Sequence, residues 1–190
     1  MHIAPFNNKN QAIVDVNNEL VPLTYFNIVK LKAGEQFYYE VSGYETCIVP
    51  ATGTIDVEVA GQTYEAVGNR KVDVWGGEPE AVYVPVGIKA KFTCLTEHTE
   101  VFIAGAKYEK VLEPFDVRVS ELDLVQYGSD DTKTHRKIKH ILGQKQANQV
   151  GRLLVSELFT VGQGGRSGFP SHKHDTNRLP EETQTNPCLL

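Results

Sequence analysis

The residues richest in chemistry are His172, Lys173 and His174, followed at once by Asp175. On an extended strand, side chains two apart share a face, so His172 and His174 present two imidazoles side by side. Such a pair can hold one transition metal, and Asp175 can ligate or orient a ring nitrogen from beside it. Two imidazoles are half of a four-ligand shell, so the same spacing also suits a solvated strand face. A glycine-dense turn, Gly162-Gln163-Gly164-Gly165, leads into this segment. A second group lies upstream, where His135 and His140 flank Arg136, Lys137 and Lys139. Those cations suit a carboxylate, Arg136 through bidentate pairing, although a charged outer strand face is the plainer reading. Arg166 and Lys173 are weaker candidates for the same task. His98 sits in the polar run Thr96-Glu97-His98-Thr99 and reads as an exposed turn residue. No general base can be named, and no residue is assigned to an organic cofactor.

The elements that must carry these residues are short and β-patterned. Thr24–Leu31, Gln36–Val41, Glu45–Val49, Thr54–Val59, Gln62–Val67, Lys71–Trp75, Ala81–Val84, Lys89–Cys94 and Glu100–Ala104 all read as strands. Ala60-Gly61 marks a hairpin turn. Strands at this spacing, with Gly and Pro between them, specify an all-β antiparallel sandwich or small barrel. Only Ser120–Gln126 looks helical, with Ser120 as its cap. Residues 119–134 lose strand periodicity and read as a linker, after which His135–Leu142, Arg152–Val161 and Phe169–Asp175 resume it. The expected division is 1–118, 119–134 and 135–190, the last being short for a free-standing β-domain.

Composition narrows the class. The chain has 190 residues, 41% of them apolar, and nineteen Lys plus Arg against twenty-four Asp plus Glu give a net charge of −5. With no basic stripe, nucleic acid is not expected as a partner. The longest apolar run, Ala81–Ile88, is too short to cross a bilayer, so no membrane partner is expected. No export leader is visible at the N-terminus, and Cys47, Cys94 and Cys188 suit reduced thiols, so a cytoplasmic location is expected.

A glycine turn followed by His-x-His on a strand of an all-β protein resembles the first motif of the cupin barrel. A closer resemblance runs through FNIVKLKAG (26–34), the glutamate and cysteine of 44–50, AVYVPVG (81–87), THRKIKHIL (134–142), LLVSELFT (153–160) and FPSHKHDT (169–176). These segments, in this order, resemble the 5-deoxy-glucuronate isomerase family of myo-inositol catabolism. The resemblance implies a cupin-type antiparallel barrel, then the first strands of an incomplete second cupin barrel. It implies an aldose–ketose isomerase acting on a small sugar acid, with a divalent metal, zinc or manganese, bound in the second barrel by His-x-His, a glutamate and a further histidine. Only His172 and His174 fall on those ligand positions. Glu181 and Glu182 lie in what resembles an acidic, proline-containing insertion and read as solvated loop charges. In the first barrel the corresponding positions fall around Tyr39, Val41 and Glu45 and at Ala90, which implies no metal there and a scaffolding or dimer role. The expected chain is therefore a homo-oligomer with an incomplete site and impaired activity. The alternative is a non-catalytic cupin-like binding or structural protein, or an inactive gene remnant. The related uronate isomerase of pectin breakdown shares the two-barrel plan but is less similar around FPSHKHDT.

Overall fold

The computed structural model describes residues 6–165 and 187–189. Eight strands form the first assembly: β1 (Thr24–Lys32), β2 (Gln36–Tyr39), β3 (Tyr44–Val59), β4 (Gln62–Arg70), β5 (Ala81–Val84), β6 (Ala90–Cys94), β7 (His98–Lys107) and β8 (Phe115–Val117). All their pairings are antiparallel. A smaller sheet follows, built from β9 (Asp123–Tyr127), β10 (Arg136–Leu142), β11 (Leu154–Thr160) and the short β12 (Pro187–Leu189), in the order β12-β11-β10-β9. The all-β, cupin-type expectation holds.

Strand β3 organises the barrel. Its first half lies between β7 and β5, and its second half lies between β6 and β4. The two strands expected at Glu45–Val49 and Thr54–Val59 are thus one strand of 16 residues that passes from one sheet into the other. The crossing is eased by register shifts at Pro50/Thr52 and Gly53/Ile55. Gly53 has φ +77°, and a Cβ on it would sit 2.5 Å from the His98 carbonyl oxygen, so this corner needs glycine. Ala60 and Gly61 turn β3 into β4 with φ of 51° and 78°. Positive φ at both central residues matches the twist of the flanking strands.

Three of the barrel strands, β3, β5 and β7, bury both faces over part or all of their length. Val29, Ile48, Ile55, Val57, Phe92 and Ile103 fill the interior. The opposite faces of β3, β5 and β7 carry Cys47, Val49, Tyr83 and Ala104, which pack against Ile141, Leu142, Leu153 and Val155 of the second sheet. Double-sided burial explains why Ala81–Val84 is an unbroken apolar run rather than an alternating one.

Two buried polar contacts fix this docking. Glu45 is fully buried and accepts hydrogen bonds from the backbone N–H groups of Gly151 (2.8 Å), Arg152 (2.5 Å) and Leu153 (2.9 Å), and from the Tyr83 hydroxyl (2.6 Å). A Cβ on Gly151 would lie 2.4 Å from the Tyr108 ring, so only glycine lets the chain come this close to the carboxylate. Arg70 makes a bidentate pair with Glu157, both contacts at 2.6 Å, and its Nε donates to the Gly77 carbonyl at 3.0 Å. Burial, and then the hydrogen bond to Glu45, push the Tyr83 phenol well above its ordinary range.

Three expectations need correction. Lys71–Trp75 is a series of bends, because the Asp73 carboxylate accepts from the Trp75 N–H at 2.9 Å and closes a local turn. Ser120–Gln126 is not helical: a 3-10 turn spans Val119–Glu121, and Asp123–Tyr127 is strand β9. Seven residues are too few to hold a helix in water, whereas pairing with β10 satisfies this backbone. The stretch 119–134 therefore contains a strand of the second sheet as well as connecting chain. The strand expected at Phe169–Asp175 lies outside the described residues. Among the described residues no helix is long and apolar enough to cross a membrane.

Replacing Glu45 by Ala strands the buried Leu153 N–H and Tyr83 phenol and the part-buried N–H groups of Gly151 and Arg152, a buried group costing about 1–3 kcal/mol when unpaired. A loss of at least about 3 kcal/mol, or roughly 6–12 °C in Tm, is expected in calorimetry. A Tm within 2 °C of the parent would refute the role given to Glu45. Above about pH 10 the unfolded chain releases the Tyr83 proton while the folded chain keeps it, so stability falls as pH rises. Tyr83→Phe removes that contribution and should lessen the fall between pH 10 and 11 by about 1 kcal/mol, measured by urea unfolding.

Candidate functional site

In the first barrel the positions matching cupin ligands come together and hold no ligating set. Tyr39 of β2 is the cross-strand partner of Ala90 of β6, and the Tyr39 hydroxyl meets the Thr46 hydroxyl at 2.9 Å. Val41 and Ala90 belong to the interior apolar cluster, and Thr46 is buried. Burial pushes the Tyr39 phenol far up, so it stays protonated. A methyl, an isopropyl group and two paired hydroxyls do not fit a divalent cation. Glu45, which the resemblance puts beside these positions, is turned the other way. Thr46 shares the parity of inward-facing Ile48, so Glu45 leaves the barrel with Cys47 and bonds to residues 151–153. The two-residue strand period carries that signal.

The other predicted residues scatter. His98 opens β7, exposed on the barrel rim, 3.4 Å from the Glu97 carboxylate. Around it a surface cleft of about 300 Å³ is lined by Lys30, Lys32, Thr52 and Glu100, with Lys30 and Glu100 paired at 3.0 Å. His135 has both ring nitrogens engaged, by Asp130 at 2.8 Å and Gln126 at 2.9 Å. Lys137 is exposed, while Lys139 pairs with Glu78 at 2.7 Å and lies 4.5 Å from the centre of the Phe159 ring. Lys139 therefore helps dock the second sheet. His140 meets the buried Ser156 hydroxyl through Nδ1 at 2.7 Å, a partnership set by strand register and not visible from residue spacing. Arg136 lies at the start of β10 on the His140 side of the strand.

His172 and His174 lie outside the described residues, as do Asp175, Arg166, Lys173, Glu181 and Glu182. Among the described residues, no three of His, Cys, Asp or Glu gather as a metal-holding group.

A model of the KduI/IolB family matches residues 2–188. A protein of Listeria monocytogenes named 5-deoxy-glucuronate isomerase is 27% identical over 174 residues, which is 90% of this chain and 62% of that protein. One of the same name from Bacillus licheniformis is 30% identical over 171 residues, covering 90% of this chain and 61% of that protein. The chain thus spans about 62% of the length of the curated relatives it matches. The crystal structure of an IolB-like protein from Salmonella typhimurium superposes with a TM-score of 0.81 at 26% identity, over 96% of this chain and 67% of that one.

Tyr39→Phe deletes one buried hydrogen bond and leaves the Thr46 hydroxyl without its partner. A loss of about 1–2 kcal/mol is expected in urea unfolding, with the divalent metal content of the purified chain unchanged. A fall in bound metal would show that the first barrel holds a site after all.

Proposed function

Because the chain belongs to the KduI/IolB family, we propose that it acts in inositol breakdown as a 5-deoxy-glucuronate isomerase, interconverting an aldehyde sugar acid and its keto isomer. The observation that carries this reading is the family match along residues 2–188, together with relatives named for that activity. The described fold agrees with it, since a rigid barrel supports a second sheet from which a site can be displayed.

In this reading residues 1–118 are the scaffold, and residues 135–190, extended by β9 from the 119–134 stretch, carry the chemistry. His172 and His174 hold a divalent metal, zinc or manganese, through imidazole nitrogens. When bound, that metal supplies positive charge to polarise the substrate carbonyl. The protein must also hold the sugar carboxylate and move one proton between adjacent carbons. The acidic chain acts in the cytoplasm on a small sugar acid, as a homo-oligomer.

The test is conversion of 5-deoxy-glucuronate to the keto acid, followed by NMR with zinc or manganese added. The His172→Ala, His174→Ala double variant should lose tightly bound metal and at least about a hundredfold in rate, while the barrel stays folded. Unchanged metal content and turnover in that variant would overturn the assignment.

A further inference from the structure

The second sheet presents two unlike faces. On β10, Lys139 and Ile141 turn toward the barrel, where Lys139 meets Glu78 and Ile141 joins the shared core. Strand alternation puts Arg136, Ile138 and His140 on the opposite face. The registers arrange that face in three rows: Tyr127, Arg136 and Thr160; then Val125, Ile138 and Leu158; then Asp123, His140 and Ser156. An apolar middle row is thus bounded by polar rows about 13 Å apart at their backbones.

His140 is the one described histidine whose geometry suits proton transfer. Its Nδ1 is held at 2.7 Å by Ser156, which is 2% exposed and sits directly across the strand pair. The ladder shifts register just after it, between His140 and Leu142, as strands do where a side chain is re-aimed. The chain then folds back so closely that a Cβ on Gly143 would lie 2.7 Å from the His140 Cβ, which limits where the ring can go. Among the described residues no polar contact engages Nε2, and the partly buried ring lies on the outer face of the sheet. His135, by contrast, has both nitrogens committed, and His98 is exposed at the start of β7 beside Glu97.

We propose that His140 is the proton-transfer residue of the isomerisation, with Ser156 as its positioning residue; this rests on the isomerase reading above. With Nδ1–H donating to the Ser156 oxygen, Nε2 carries the lone pair. Nε2 takes the proton from the hydroxyl-bearing carbon next to the aldehyde. The C–H electron pair becomes the carbon–carbon double bond, and the carbonyl π pair moves onto the aldehyde oxygen. The imidazolium then returns its proton to the former aldehyde carbon, while the hydroxyl proton passes from the neighbouring oxygen to the former aldehyde oxygen. Product and substrate are isomers, the imidazole ends as it began, and no oxidant or reductant is consumed.

Two measurements test this. In 15N-resolved imidazole NMR of the full chain, with D-glucuronate as the probe, the His140 nitrogens should shift while those of His98 and His135 stay put. Ser156→Ala should change the His140 tautomer signature. In the isomerase assay, His140→Ala and His140→Gln should each lose about a hundredfold or more in kcat with KM within threefold, and added imidazole should restore part of the His140→Ala loss. His140 signals unmoved by D-glucuronate, or a kcat within threefold of the parent, would overturn the proposal. If the parent chain itself shows no turnover, the isomerase reading falls, and the D-glucuronate shift alone decides whether His140 faces a sugar-acid site.

Discussion

A carboxylate with no counter-ion among the described residues, sealed between two sheets, is the constraint on which the rest of this molecule depends. Glu45 is satisfied wholly by donors: three successive backbone N–H groups and one phenol. Burying an ionised group is tolerable only when its lone pairs are filled, so residues 151–153 must arrive in one conformation and one place. Gly151 is what the Tyr108 ring permits there. The bidentate Arg70–Glu157 pair fixes a second point on the same interface. Between them lies apolar packing from Cys47 to Val155. Hydrophobic area supplies the attraction, and the two polar contacts set the alignment, since packing alone is far less directional.

That alignment gives the first barrel a purpose that does not require chemistry inside it. Its centre is closed by Tyr39, Thr46, Val41 and Ala90, and the part of its outer wall under the second sheet is as fully buried as its interior. A strand buried on both sides tolerates little change, and every residue of β3 from Tyr44 to Ala51 is buried. The barrel is a foundation, and the second sheet is held on it by one face.

Strand placement was legible because alternation and turn residues are local signals. Thr24–Lys32, Gln62–Arg70 and Ala90–Cys94 followed from them within a residue or three at each end. The continuity of β3 was not legible, since the Pro50–Gly53 stretch reads as a break and becomes a bend only through partners on both sides. Strand β9 was missed for a similar reason, as its pairing with β10 comes from tertiary context that no window over Ser120–Gln126 contains. At the site level, histidine types and spacings drew attention to His135 and His140 together. Sequence could not separate them, because the difference is which ring nitrogens find partners: Asp130 and Gln126 for one, Ser156 for the other. Glu45 was visible as a residue near the matching positions, and counting parity from Ile48 puts it on the outer side of its strand.

The distance along the chain between Glu45 and its donors has a consequence for how the molecule comes into being. Leu153 lies 108 residues after Glu45, and Glu157 lies 87 after Arg70. During synthesis at about 5–20 residues per second, the carboxylate emerges roughly 5–20 s before the backbone that will seal it. Until then Glu45 and Arg70 remain hydrated on the outer wall of a nascent barrel, beside Val49, Tyr83 and Ala104, which have nothing to cover them. Contacts of such long sequence separation form late and slowly. The exposed wall is then a natural place for a chaperone to hold the chain, and the two charges standing in its midst discourage that wall from adhering to another copy before its own sheet arrives.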